Sequence, residues 1–253
     1  MKNLLISDIK NSFFSLRFWL TITLILVSAV INYILNNNLN NIKGTLNVFL
    51  YSTTFGFSVF TFTAPIIAVL PFGLTYYKEI DTGYIKQMLL RLNGIKHYLS
   101  RIISCMVVSA LAIIVGFAIV LLLSFIIDPS PSYRMTTLIN NRVFGEVYDY
   151  SMVGYIMCFV LNAAIYCGLY SIFGMSMSSV CRNKYLAIAI TAAIYIYGTM
   201  TGGIFLDMRL LPFSTFTISN VTGAQLLKDH IVIGIISLII FALGYLKWNK
   251  SAS

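Results

Sequence analysis

Charged and amide side chains that could engage a partner are concentrated in one segment, Tyr77–Tyr98. Its apolar residues recur at helical spacing, which predicts a short amphipathic helix with one polar face turned toward water or a partner protein. Acidic residues lie near its start and basic residues near its end, as the helix dipole favours. The residues that we expect to contact a partner on this helix are Glu79, Asp81, Gly83, Lys86, Gln87 and Arg91.

Residue types that carry enzymatic chemistry are otherwise sparse. The chain has no phosphate-binding G-x-x-x-x-G-K-[ST] motif and no zinc-binding H-E-x-x-H motif. Its two histidines, His97 and His230, lie at the edges of apolar runs, where an interfacial side chain is the expected role. The four cysteines lie in or beside such runs and predict neither a disulfide nor a metal site. We therefore expect no catalytic, cofactor-binding or metal residue in this chain.

Six long apolar runs must position these residues, and none of the runs contains Asp, Glu, Lys or Arg. One helical crossing of a bilayer needs about 20 apolar residues. The composition agrees, since 58% of the chain is hydrophobic and only 10% is charged. The sequence therefore predicts one all-α membrane domain, residues 1–253, with six transmembrane helices. The runs are Phe18–Leu35, Val48–Tyr76, Ile102–Ile127, Tyr150–Val180, Tyr185–Leu206 and Ile231–Leu246.

The distribution of basic residues predicts the orientation of these helices. Twelve of the 17 Lys and Arg residues lie at the two termini and in the gaps after the second and fourth runs. Membrane proteins keep such an excess on the cytoplasmic side, so both termini are expected in the cytoplasm. The net charge of +9 then faces anionic lipid, and we expect no nucleic acid partner. Abundant Asn, Ile, Lys and Tyr favour a bacterial source, and hence a bacterial plasma membrane.

Two segments outside the runs are also expected to contact the membrane. Residues 1–17 alternate apolar and polar side chains at helical spacing and predict an interfacial helix before the first crossing. Residues 207–230 would lie outside the cell, yet they are semi-apolar, which predicts a re-entrant helical hairpin in the outer leaflet. The aromatic residues expected to form an outer gate there are Phe213 and Phe216.

Polar residues inside the runs raise two alternatives that the sequence leaves open. The second run is rich in hydroxyl groups and contains Pro65 and Pro71, which should kink one continuous helix near its cytoplasmic end. Such hydroxyls either line a transport path or form helix–helix contacts. The same choice applies to a carboxamide in the fourth run, where a helix–helix contact is favoured. The candidate path residues are Ser58, Thr61 and Asn162.

The segment after the second run resembles the first cytoplasmic loop of type-2 ABC exporter permeases. In that family a Glu, a Gly four residues later and a Leu-Leu pair precede a Tyr-Leu-x-[KR] start to the third span. Here these are Glu79, Gly83, Leu89–Leu90 and Tyr98–Arg101. The layout of interfacial helix, six spans and re-entrant hairpin is also similar. Within the family, the chain is most similar to short permeases of bacterial peptide export and bacteriocin or lantibiotic self-protection.

The resemblance implies a transmembrane permease that exports a hydrophobic or amphipathic cargo, such as a peptide, toxin or antimicrobial. Two permeases, identical or similar, would pair, and each would dock a separate ATPase subunit that binds ATP and Mg. The segment 77–98 would be the coupling helix, and this chain would not itself be an enzyme. The absence of charged residues from the runs fits an external energy source, because coupled transporters usually need an intramembrane relay. The alternatives are a membrane-embedded accessory, sensor or enzyme, and a secondary transporter without an ATPase.

Overall fold

The computed structural model describes residues 2–40, 43–53, 59–84, 94–130, 145–181, 183–205 and 230–243. These residues form helices joined by turns, and no strand occurs among them. The all-helical class predicted from the sequence is therefore confirmed for this part of the chain. The helices are α1 (Lys2–Phe13), α2 (Leu16–Asn40), α3 (Thr45–Thr53), α4 (Val59–Val69), α5 (Thr75–Asp81), α6 (Gly94–Ile127), α7 (Gly145–Tyr150), α8 (Met152–Cys181), α9 (Lys184–Phe205) and α10 (His230–Leu243).

Three helices are long and apolar enough to cross a membrane. Their apolar parts are Leu16–Leu35 in α2, His97–Ile127 in α6 and Met152–Cys181 in α8. Each spans about 30 Å or more at 1.5 Å per residue, which matches the hydrocarbon thickness of a bilayer. The apolar stretches found in the other three runs are shorter, namely Val59–Val69, Tyr185–Tyr197 and His230–Leu243. The described part of the chain thus contains three helices of spanning length, as a membrane protein does.

Helix α8 is the centre of the bundle. It packs against α6, α9 and α4, and 67% of its most apolar stretch is buried, against 39% for α2 and 33% for α6. Close approach is possible because Gly174 of α8 faces Val69 of α4 and Gly168 faces Met106 of α6. A Cβ atom at Gly174 would lie 2.3 Å from Val69 Cγ2, so this contact requires glycine.

The outward faces of α2 and α6 are strongly apolar. Val30 and Ile34 of α2 and Leu122 and Ile126 of α6 are all at least half exposed. A soluble protein rarely leaves so many large apolar side chains in water. These faces therefore fit contact with lipid, and they agree with the spanning lengths of the two helices.

The second apolar run does not form the single kinked helix expected from the sequence, because it turns from Leu70 to Leu74 between α4 and α5. Residues 54–58, between α3 and α4, lie outside the described part. Pro65 lies inside α4, and Pro71 is the second residue after its end at Val69. Because Pro71 lacks an N–H group and its ring crowds the preceding turn, it favours an end of the helix here. The proline therefore ends the helix rather than bending it.

Asn32 of α2 binds backbone groups on both sides of residues 54–58. Asn32 of α2 donates from Nδ2 to the carbonyls of Tyr51 and Ser52, both at 3.3 Å, and its Oδ1 accepts from the N–H of Val59 at 3.4 Å. One carboxamide thus contacts the end of α3 and the start of α4. Apolar surroundings demand such pairing, because an unpaired backbone group in lipid costs several kcal/mol.

A second such contact involves the proline inside α4. Pro65 has no N–H group to donate to the carbonyl of Thr61, four residues earlier. The hydroxyl of Tyr195 on α9 donates to that oxygen at 2.7 Å. Ser109 of α6 similarly donates to the carbonyl of Ala68 at 2.8 Å. Helix α4 is thus fixed to α6 and α9 through its own backbone.

Candidate functional site

Among the described residues, Arg101 of α6 contacts two carboxylates, Asp8 of α1 and Glu79 of α5. The contacts lie at the end of the bundle where these three helices meet. Helix α1 packs against α6 as well as α2. The Asp8 carboxylate of α1 accepts hydrogen bonds from Arg101 Nη1 and, at 3.1 Å, from Ser104 Oγ. Arg101 and Ser104 lie three residues apart on α6 and therefore share one helical face. That spacing lets both side chains reach the same carboxylate.

The other side of the Arg101 guanidinium binds Glu79 of α5. Arg101 Nε donates to Glu79 Oε2 at 3.1 Å, and Nη2 pairs with Oε1 of the same carboxylate. This bidentate contact is the strongest geometry available to an arginine and a carboxylate. We call Asp8, Glu79, Arg101 and Ser104 the Arg101 cluster. It connects residues that are 93 and 22 positions from Arg101 in the chain.

The Arg101 cluster is nearly withdrawn from solvent. Arg101 is 6% exposed and Glu79 is 9% exposed, and the Phe72 ring lies 6.0 Å from the guanidinium carbon. One guanidinium can neutralise only one of the two carboxylates. Burial raises the pKa of Glu79 from its usual 4.5 to about 7; the Arg101 charge opposes this shift and the Asp8 carboxylate adds to it. Burial therefore makes the carboxyl group of Glu79 harder to ionise than that of an exposed glutamate.

A polar cleft of about 550 Å³ opens beside the Arg101 cluster. Its walls come from α1, the first residues of α2, the turn before α5, and α5 itself. Ser15, which lies between α1 and α2, accepts from the N–H of Phe18 and donates to the carbonyl of Ser12, so it caps the start of α2. That cap fixes the direction in which α1 leaves α2 and hence the shape of the cleft.

The predicted coupling residues do not share one environment in the structure. Glu79 was expected on the polar, water-facing side of its helix, but it is buried because Arg101 of α6 binds it. Asp81 is exposed at the end of α5. Gly83 follows α5 and has a φ of 70°. Helix α5 ends at Asp81, before all the residues that we expected in this helix have been included. Three further coupling residues, Lys86, Gln87 and Arg91, lie outside the described residues.

Two of the three candidate path residues are buried inside the bundle. Thr61 is fully buried, and its hydroxyl has no hydrogen-bond partner among the described residues. Asn162 of α8 is 8% exposed. Neither residue lines the polar cleft. Ser58 and the two gate residues, Phe213 and Phe216, lie outside the described part of the chain.

Sequence reasoning missed the partner residues of the cluster. Arg101 appeared only as the last position of a family motif, and Asp8 only as one polar residue of an amphipathic helix. The available signal was a single acidic residue in a short helix that otherwise carries basic and neutral side chains. Within the described residues no group of His, Cys, Asp or Glu side chains is arranged to hold a metal ion.

No known protein family, curated protein or solved structure matches this chain. Its function must therefore be argued from its own residues.

Proposed function

We propose that this chain is the transmembrane permease subunit of an ATP-driven ABC exporter in a bacterial plasma membrane. It would pair with an identical or similar permease, and separate ATPase subunits would bind ATP and Mg. The single observation that carries the proposal is the Arg101 cluster, because it joins the presumed coupling segment to a membrane-spanning helix. A hydrophobic or amphipathic peptide, toxin or antimicrobial is the proposed cargo.

The Arg101 cluster supports this function through its mechanics. Glu79 on α5 is bound by two donors of Arg101, and the same guanidinium binds Asp8 on α1. A push on α5 by a docked ATPase must therefore move α6 and α1 with it, or separate charges that are nearly buried. Breaking a buried ion pair costs about 3–5 kcal/mol. This cost is large enough to keep the three helices together during a conformational change.

The proposed topology uses six helices and places both termini in the cytoplasm. The three helices of spanning length supply three crossings. The second run, α9 and α10 would supply the others, with α9 extending over 22 residues. The excess of Lys and Arg at the termini and after the second run supports the orientation. In this arrangement the Arg101 cluster faces the cytoplasm, where an ATPase would dock, and the segment 207–230 re-enters the outer leaflet.

Two variants of α5 separate docking from coupling. The protein is co-expressed with the products of its neighbouring genes, among which the proposal expects a Walker-motif ATPase, and is reconstituted in vesicles. Asp81→Arg reverses an exposed charge, so we expect less co-purified ATPase and unchanged stability. Glu79→Gln keeps the size of the side chain but removes the charge that binds Arg101, so we expect the ATPase to bind while cargo export is lost. The isolated permease should hydrolyse no ATP.

Three results would contradict the proposal. ATP hydrolysis by the permease alone would make it an enzyme. Export that continues when the Walker lysine of the ATPase is replaced would favour a secondary transporter. Co-purification of a kinase or lipid-modifying enzyme in place of an ATPase would favour an accessory or sensor role.

A further inference from the structure

The polar cleft is lined by groups suited to bind an anion. Hydroxyl and amide side chains from α1 and its connection to α2, namely Ser7, Asn11, Ser12 and Ser15, form one wall. Ser7, Ser12 and the second amide hydrogen of Asn11 can donate hydrogen bonds without adding charge, whereas the hydroxyl of Ser15 donates to the carbonyl of Ser12. A volume of about 550 Å³ is larger than a water molecule or a simple ion requires. The cleft can therefore hold a polar group of the size of a substituted phosphate.

The charges of the cleft leave an excess of positive charge. Arg17, Lys78 and Arg101 line it together with Asp8 and Glu79. The two carboxylates are both bound to Arg101, whereas Arg17 and Lys78 form no ion pair with any described residue. Two cations from different helices are thus available to an incoming anion. Protonation of Glu79 would increase this excess further.

The cleft lies at the depth of the lipid headgroups in the proposed membrane arrangement. Arg17 lies in the first turn of the span in α2, and Arg101 lies near the start of the span in α6. Beside them, Phe14 is 75% exposed, and Trp19 is 46% exposed. Exposed aromatic residues at the end of a spanning helix mark the membrane–water interface. A ligand in the cleft can therefore keep its polar part among these charges while its chains remain in the bilayer.

We propose that the cleft between α1, α2 and α5 binds the phosphate headgroup of an anionic phospholipid. Arg17 and Lys78 would contact the phosphate oxygens, the hydroxyl groups of α1 would bind the remaining headgroup oxygens, and the acyl chains would lie against the exposed apolar side chains near Leu16. A soluble phosphate ester presents the same oxygens, so the experiment must distinguish these two sources. The inference requires a membrane-embedded chain but no ATPase partner.

The test measures retained and exchanged lipid on the full-length protein in nanodiscs of phosphatidylcholine with increasing phosphatidylglycerol. Native mass spectrometry counts the bound phosphatidylglycerol, and its half-saturation gives an apparent affinity. The double variant Arg17→Gln/Lys78→Gln is compared with Lys2→Gln/Lys10→Gln, which removes the same charge on the same side of the membrane. Lys10 does not line the cleft. Each basic contact to anionic lipid contributes enough that losing two should weaken binding about thirtyfold.

The expected result is saturable binding of one phosphatidylglycerol per chain, lost in the first double variant and retained in the second. The charge-retaining variant Arg17→Lys/Lys78→Arg should keep most of the affinity. Equal loss in both neutralised variants would show diffuse surface attraction and overturn the site. If millimolar glycerol phosphate displaced the lipid, the ligand of the cleft would be a soluble phosphate ester and the lipid proposal would be wrong. If the wild-type protein bound phosphatidylglycerol no more tightly than phosphatidylcholine, the proposal would be wrong whatever the variants did.

Discussion

Replacing Arg101 by Met should destabilise the protein strongly and in a pH-dependent way. The substitution keeps most of the length of the side chain but removes three charged hydrogen bonds, two to Glu79 and one to Asp8. Two carboxylates then face each other with only Ser104 as a described neutral donor. One or both must bind a proton or draw in water.

The structure sets the size of this effect. Removing one partner of a buried ion pair costs about 3–5 kcal/mol. The raised pKa of Glu79 is already a cost in the wild-type protein, so it does not add to this loss. The loss should shrink at lower pH, because protonating a carboxyl group costs only about 1.4 kcal/mol for each pH unit above its usual pKa. The side chains of Asp8 and Glu79 keep 13% and 11% of their surface exposed, which allows some hydration. We therefore expect a loss of about 3 kcal/mol at pH 7.5 and about 1 kcal/mol at pH 5.5.

The free energy of unfolding can be measured by denaturant titration in detergent at both pH values. The matched control is the triple variant Arg101→Met/Asp8→Asn/Glu79→Gln, which removes every charge of the cluster. It should regain most of the loss, since replacing a whole buried ionic group by neutral residues is often close to neutral. A loss below about 1 kcal/mol at pH 7.5, or a triple variant as unstable as the single one, would refute the reasoning.

Three further outcomes follow from the contacts described above. The pKa of Glu79 in the folded protein lies above its unfolded value of 4.5, so the free energy of unfolding should fall as pH rises from about 4.5 to about 7. Glu79→Gln should remove this pH dependence when unfolding is measured over a series of pH values. Tyr195→Phe leaves the proline-freed carbonyl of α4 unpaired and should cost about 1–3 kcal/mol in thermal or chemical unfolding, whereas Tyr150→Phe, 89% exposed, should change nothing. Gly174→Ala should destabilise the protein by about 1–3 kcal/mol because its methyl group would clash with Val69 of α4. Gly234→Ala, whose Cβ would have its nearest neighbour 3.7 Å away, should be tolerated. Equal unfolding midpoints for the two alanine variants would contradict the close contact of α4 and α8.

Local patterns were sufficient to predict the long helices. Uninterrupted apolar stretches predicted α2, α6 and α8, because a spanning helix is defined by length and composition along one continuous segment. The contact between Asn32, an isolated carboxamide in the preceding run, and the second run was missed because no local pattern encodes it. Only the folded chain shows that this side chain meets the backbone of α3 and α4.

The candidate site was predictable only in part for a similar reason. The segment that contains Glu79 could be identified by its charges, but its buried orientation could not. An amphipathic pattern assigns every charged residue to the water-facing side, whereas Glu79 is turned inward by a partner 22 positions later. Asp8 is 93 positions from the same arginine, and no helical or strand periodicity relates residues so far apart.

The hydrogen bond between Tyr195 and the carbonyl of Thr61 joins residues 134 positions apart, and this has a consequence for biosynthesis. At an elongation rate of about 5–20 residues per second, α4 would leave the ribosome roughly 7–27 seconds before its partner tyrosine does. During that interval the proline-freed carbonyl must be hydrated or held by the insertion machinery, since lipid offers it no donor. By contrast, Asn32 is made before the backbone groups that it contacts. The first part of the bundle can therefore pair internally as it emerges, while α4 reaches its final state only after α9 has been inserted.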